Sequence, residues 1–243
     1  MTRAVLRSAS AMRAALLRIV LLPTLLATAA LSVAAPLVSQ SFNVDIGMSG
    51  NGPPSSYTAA GRAGVWNVTE AAHGTTSSGL VDLHGASIPV TLRQIGGLDL
   101  IEGDDPATVG ADGLLLDDFL VTYDAGLESC VFLAEVEPGE YEVLIYARMP
   151  ETDVDSYTDV DEEPGNPHSI VGGPWPGQHQ ELVSYSRHQA TVGPSGQLNL
   201  HSGIVPAANP ADGAALNGLQ VLRVDVFADG FEVGGTGAWS SSR

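Results

Sequence analysis

The sequence predicts an all-β fold, an antiparallel two-sheet β-sandwich of the jelly-roll kind, on three observations. Its ordered-looking segments alternate apolar and polar residues with a period of two and show almost no 3.6-residue periodicity. Twenty-eight glycines and 15 prolines punctuate them at short intervals, the spacing of a many-stranded β domain. Neither an internal repeat nor a linker divides the stretch from Phe42 to Phe227, so one domain, residues 36–226, is expected.

The chain opens differently. Arg3, Arg7, Arg13 and Arg18 precede IVLLPTLLATAALSVAA, an uncharged apolar run that ends in small residues. That is the layout of a secretory signal peptide over residues 1–35, with cleavage at Ala34 or Ala35. As a membrane anchor the run is short, carries Pro23 and thins into Ala and Ser. The expected location is secreted or cell-surface, with the periplasm as the alternative, and no later segment is apolar enough for a membrane span. Without the leader six arginines face 28 acidic residues, a net charge of −22, and the chain has no lysine. So acidic a surface repels nucleic acid and anionic lipid and suits solubility or cation binding.

Phe42–Ile46 (FNVDI) alternates as a first strand and runs into a Gly/Pro/Ser loop, GMSGNGPPSSY. Residues 65–68, 80–83 and 88–92 are short strand candidates. An acidic, turn-rich stretch follows, in which GDDP and ADG mark turns. LLLDDFLVTY then begins as a turn or short helix and ends, over residues 119–123, as a strand.

Nothing alternates as cleanly as residues 130–148, CVFLAEVEPGEYEVLIYAR. Pro138 and Gly139 suit the two central positions of a type II turn, so the segment reads as the central hairpin of a sheet. Tyr141, Val143, Ile145 and Ala147 share one face beyond the turn; Glu142, Leu144 and Tyr146 share the other. Cys130 is the only cysteine, so the fold has no internal disulfide. On an alternating strand it reads as a small buried apolar residue, with a reactive thiol as the alternative.

Residues 149–176 hold five prolines, with carboxylates at 153, 155, 159, 161, 162 and 163 between them, and read as a long loop of the functional or disordered kind. Strands are expected again at 181–186, 188–192 and 197–201. A last long strand, residues 216–227, is apolar enough for a sheet centre, with Leu219, Val221 and Val224 or Val226 buried.

The segments FNVDIGMSGNGPPSSYTAAGRAGVWN, PGEYEVLIYA, VGGPWPG and ALNGLQV together resemble secreted galactose-binding-like β-sandwich domains of environmental bacteria. The resemblance spans about residues 42–224 and implies that fold and, through loops at one end, carbohydrate binding. The ending FADGFEVGGTGAW is similar to an F-x-D-G-F-E-x-G…W segment on exported gammaproteobacterial proteins. Phe227, Asp229, Gly230, Phe231, Glu232, Gly234 and Trp239 match it, and Gly235 departs from it. Residues 227–243 are therefore expected to be a tail, either a sorting segment or one that docks Phe231 and Trp239 on the sandwich.

Candidate chemistry gathers in the acidic loop. Asp153, Asp155, Asp159 and Asp161 are hard oxygen ligands dense enough for Ca²⁺, although the spacing is not an EF-hand; a solvated acidic loop is the alternative, and no other cofactor is implied. Trp175, between two prolines, and Tyr157 are the candidate ligand-binding rings, since a sugar stacks its apolar face on an aromatic ring while polar groups take its hydroxyls. Trp175 could equally plug the end of the core, and Trp66 reads as structural. Nucleophile elbows, His-Glu-x-x-His helices and phosphate-binding Gly loops are absent from the sequence. The pairs Asp104/Asp105 and Asp117/Asp118 keep a glycoside-active hydrolase open. The leading expectation is a non-catalytic module for carbohydrate or another cell-surface ligand. A surface-associated structural protein is the alternative.

Overall fold

A computed structural model describes residues 40–48, 50, 52–70, 73–97, 99–122, 128–149, 154–204 and 213–224. The leader, the tail at 227–243 and Asp153 lie outside these residues. Among the described residues there are fourteen strands and one short helix: β1 (Phe42–Ile46), β2 (Trp66–Thr69), β3 (Thr76–Ser77), β4 (Thr91–Ile95), β5 (Asp99–Glu102), α1 (Ala111–Leu116), β6 (Asp118–Thr122), β7 (Glu128–Ala134), β8 (Gly139–Tyr146), β9 (Ser156–Val160), β10 (Ser169–Val171), β11 (Tyr185–Val192), β12 (Leu198–Ile204), β13 (Ala214–Leu216) and β14 (Gly218–Arg223).

Two large sheets make the expected sandwich. One has five strands in the order β11-β8-β14-β1-β2, the other six in the order β10-β9-β12-β7-β4-β3. Pairing is antiparallel apart from β1 with β2. The main core lies between them: Phe42, Val44, Tyr141, Val143, Ile145 and Val221 from the first meet Leu92, Val131, Leu133, Val160, Leu198 and Leu200 from the second. A three-stranded sheet, β13-β6-β5, stands beside them, contributing Leu120 and Leu216 to that core. Among the described residues no helix is long and apolar enough to cross a membrane.

The expected hairpin is not one. β7 pairs with β12 and β4, whereas β8 pairs with β11 and β14, so residues 135–138 carry the chain from one sheet to the other. Gly139 is extended, with φ 158°, and opens β8; the left-handed residue of the crossing is Glu135, φ 63°. Val136 is buried within the crossing, and its N–H donates to Gly196 O at 3.0 Å. The crossing is favourable because it lets the Val131/Leu133 face and the Tyr141/Val143/Ile145 face meet across one core. A hairpin would have laid both in the same sheet.

Other expectations change: residues 80–83 hold only an isolated bridge at Val81, 181–186 and 188–192 are replaced by the single strand β11, and two changes bear on the site. Residues 149–176 contain β9 and β10: Thr158 and Val160 are buried on the inward face, and Asp159 on the other face is buried too, with His168 Nε2 3.6 Å from its carboxylate. The closing strand is broken at Asn217, whose side chain donates to Leu116 O and Asp118 O at 2.9 and 3.3 Å. Leu219 and Val221 are buried at the sheet centre, but Val224 is exposed.

Candidate functional site

The outer face of the five-stranded sheet is sealed around Leu144 and Tyr146, while Glu140, Gln189 and Thr191 on the same face are exposed. Leu144 and Tyr146 of β8 point away from the main core into a second cluster with Trp66, Leu115, Leu116, Tyr185 and Leu222, against which Tyr57 and Trp175 pack. Several polar groups in this layer are paired, although Asp45 Oδ1 and the Nε and Nη1 of Arg148 beside the layer are buried without a hydrogen-bond partner. Tyr146 OH donates to Gln220 Oε1 at 2.7 Å and accepts from Ala60 N at 2.9 Å, and Gln220 Nε2 donates to Asn43 Oδ1 and Arg62 O. Tyr57 OH donates to Asp112 Oδ1 at 2.6 Å and lies 2.5 Å from His179 Nε2. Burial lowers the His179 imidazole to about 4, so it stays neutral.

Trp175 belongs to this layer. It is half-buried, packs edge-on to His179 at 5.3 Å between ring centres, and has the Arg148 guanidinium 5.8 Å from its ring. Arg148 is itself 3% exposed and paired with Asp105 at 2.7 Å.

Next to this layer an open cleft of about 470 Å³ is lined by Glu102, Asp104, Thr108, Leu114, Asp117 and Asp118, with glycines 103, 110 and 113. Asp117 Oδ1 accepts from Thr108 Oγ1 at 2.6 Å, yet burial raises its carboxyl above the usual carboxylate range. Asp118 Oδ2 accepts from Met48 N at 3.0 Å. Behind it Asp45, 1% exposed, is pushed up to about 8 by burial and by the Asp118 charge.

The outer face of the six-stranded sheet is partly exposed where β7, β12 and β9 lie side by side, with Cys130 and His201 half-buried and Asp159 buried. Register places Glu128, Gly203 and Tyr157 in one row and Cys130, His201 and Asp159 in the next. Cys130 is half-buried on this outer face, not in the core, because Val131 and Leu133 hold the inward phase of β7. Its Sγ is 3.2 Å from His201 Nδ1, which is also 3.2 Å from Glu128 Oε2; Sγ and that oxygen are 4.0 Å apart. On the other edge of the ring, His201 Nε2 lies 3.4 Å from Asp161 Oδ1. The hydrogen bond with Cys130 raises the His201 imidazole to about 9 against its burial, with the Cys130, Asp159 and Asp161 charges adding to it.

Tyr157 crosses this face. Its ring lies over Gly203, where a Cβ would come within 2.6 Å of it, and its hydroxyl donates to Glu128 Oε1. His168 stacks on the ring at 5.3 Å.

Of the residues singled out from the sequence, Trp175 and Tyr157 therefore lie on the outer faces of different sheets. Asp159 and Asp161 come together with His201, while Asp155 is exposed in the chain before β9. Two carboxylates and an imidazole supply fewer oxygens than the six to eight calcium takes. Glu128, Cys130 and His201 were not in the expected set, and only register across β7 and β12 joins them. The Glu-x-Cys spacing, which puts both side chains on one strand face, was the one signal available.

No family model and no curated protein matches the chain. Among solved structures it is similar to the ANXUR1 extracellular domain from Arabidopsis thaliana, with 10% identity, a TM-score of 0.41, and 77% of this chain and 48% of that one covered. It is also similar to TmCBM61 in complex with β-1,4-galactotriose, with 11% identity, a TM-score of 0.31, and 55% and 88% covered. The GH115 4-O-methyl-α-glucuronidase BtGH115A follows, with 10% identity, a TM-score of 0.32, and 68% and 20% covered. This chain spans about half the length of the ANXUR1 domain.

Proposed function

We propose that the protein is an exported, non-catalytic β-sandwich module that binds carbohydrate in the acidic cleft beside α1. The observation that carries this reading is the convergence of Glu102, Asp104, Asp117 and Asp118 with Thr108 on one open concavity of about 470 Å³. That volume suits a small ligand. Carboxylates accept hydrogen bonds from vicinal hydroxyls, and a carboxyl raised by burial, as at Asp117, can donate one as well. Trp175 supports the site from outside the cleft, by stacking against Arg148, which holds Asp105 next to Asp104.

Binding to a panel of immobilised glycans tests this. The double variant Asp104→Asn/Asp117→Asn is expected to lose retention on whichever glycan holds the wild type. Retention unchanged in that variant, or no retention on any glycan, would overturn the reading.

One observation favours a hydrolase as second reading. Asp117 and Asp118 share the cleft, and burial raises the Asp117 carboxyl, which suits it to act as a general acid. Release of reducing ends from a retained glycan, lost in Asp117→Asn and in Asp118→Asn, would establish it; a retained glycan left intact would rule it out.

A further inference from the structure

We infer that Glu128, Cys130 and His201 form a binding site for a thiophilic divalent transition metal of the Zn²⁺ class on the open face of the six-stranded sheet. This does not depend on carbohydrate being the ligand of the cleft.

Three lines of geometry converge on it. The first is the donor triangle. Ligand bonds of 2.0–2.3 Å in a tetrahedral zinc site place neighbouring ligand atoms about 3.4–3.6 Å apart. The edges here are 3.2 Å from Cys130 Sγ to His201 Nδ1, 3.2 Å from that nitrogen to Glu128 Oε2, and 4.0 Å from Glu128 Oε2 to Sγ. Shifts of a few tenths of an ångström would make this one face of a tetrahedron.

The second line is the support behind each ligand. Tyr157 OH donates to Glu128 Oε1, which occupies one carboxylate oxygen and leaves Oε2 turned to the thiol and imidazole. His201 Nε2 is buried without a hydrogen-bond partner, and its nearest carboxylate oxygen is Asp161 Oδ1 at 3.4 Å. Ligation through Nδ1 would fix the proton on Nε2, and a small rotation of the half-exposed Asp161 would then accept it. A metal-bound histidine commonly holds a carboxylate on its other nitrogen in this way.

The third line is the backbone. Glu128 and Cys130 are i and i+2 on β7, and His201 is paired with Cys130 across the β7/β12 ladder. The donors therefore rest on adjacent strands inside a sheet. Gly203, opposite Glu128 in the same ladder, leaves the space in which Tyr157 reaches across. Donor chemistry sets the class: thiolate with imidazole and carboxylate selects Zn²⁺ or Co²⁺ over Ca²⁺ or Mg²⁺.

Co²⁺ titration of the metal-stripped full chain tests the site, because thiolate ligation gives a charge-transfer absorption that oxygen and nitrogen ligands do not. One equivalent is expected to produce that absorption, and Zn²⁺ to abolish it by competition. Cys130→Ser should remove the absorption, His201→Ala should weaken affinity at least 100-fold, and Asp161→Asn should weaken it about 10–100-fold. Circular dichroism checks that each variant is folded. A measurement on the unaltered chain stands beside the variants: Cys130 is the only cysteine, so its alkylation rate reports the site directly. Zn²⁺ should slow alkylation at least tenfold, reversibly with a chelator. Co²⁺ spectra without a thiolate band, or alkylation indifferent to saturating Zn²⁺, would overturn the site even if glycan binding were intact.

Discussion

The outer faces of the two large sheets start from the same alternation and end in opposite states. On the five-stranded sheet, Leu144 and Tyr146 on the outward face of β8 are as buried as its inward residues, while Glu140 and Glu142 farther along that face are not. Loops and α1 lie over them, and Trp66, Tyr57 and Trp175 fill the layer. On the six-stranded sheet, the outward residues of β7, β12 and β9 are Glu128, Cys130, His201, Tyr157 and Asp159, and part of this face meets solvent. A polar group in the sealed layer must be paired or it costs stability. On the open face a group can be left with spare bonding capacity, which a ligand can use. The same residue types thus carry structure on one side and chemistry on the other.

The largest effect that would break this contrast is expected at the sealed side. Asp105→Asn leaves Arg148 buried without its carboxylate partner at 2.7 Å. Urea denaturation should show a loss of about 3–5 kcal/mol; a loss under about 1 kcal/mol would mean that this side is not sealed. Tyr146→Phe comes next. It removes the hydroxyl between Ala60 N and Gln220 Oε1 and strands two buried groups, which should cost about 1–3 kcal/mol.

The pH dependence of melting sharpens the same boundary. The Asp45 carboxyl, raised from 3.8 to about 8, is favoured neutral in the fold. Its contribution is full below about 4 and is lost as pH rises toward about 8. His179, lowered from 6.5 to about 4, acts in the opposite direction. The folded state favours its neutral form, so its contribution is full above 6.5 and falls away as pH drops toward about 4. Asp45→Asn should flatten the alkaline limb and His179→Gln the acid limb. Either limb persisting unchanged in its own variant would assign it to other groups.

The smallest effect is expected on the open face without metal. Cys130→Ser should change stability by no more than about 0.5 kcal/mol, as surface substitutions do. A much larger loss would make the Cys130 to His201 contact a structural one.

Much of the fold was legible because period-two alternation reports burial phase directly. FNVDI and the 139–146 strand appear where that pattern places them, and so does GLQV within β14, although the expected closing strand is broken at Asn217. Partner choice was not legible. Pro138 and Gly139 suit a turn, but a turn and a crossing between sheets differ in which distant strands compete for each edge, and no local residue encodes that. The acidity of residues 153–163 concealed β9 for a related reason: Asp159 is accommodated in the strand beside His168, a partner that local composition does not reveal, so composition and structure part company. Trp175 could be read either way from GGPWPG, and the cluster around Tyr146 and His179 decides its packing. The three candidate ligands were least visible, since 71 residues separate Cys130 from His201 and only β-sheet register joins them.

The most direct test of the division between the faces is the melting temperature of the full chain, metal-stripped and with excess Zn²⁺, measured side by side for the wild type, Cys130→Ser and Asp104→Asn/Asp117→Asn. At 100 times the dissociation constant a bound ion adds about 2.7 kcal/mol. The wild type and the cleft variant should therefore rise together by several degrees, and Cys130→Ser should not rise. An equal rise in all three would place the ion elsewhere and contradict the assignment of the open face.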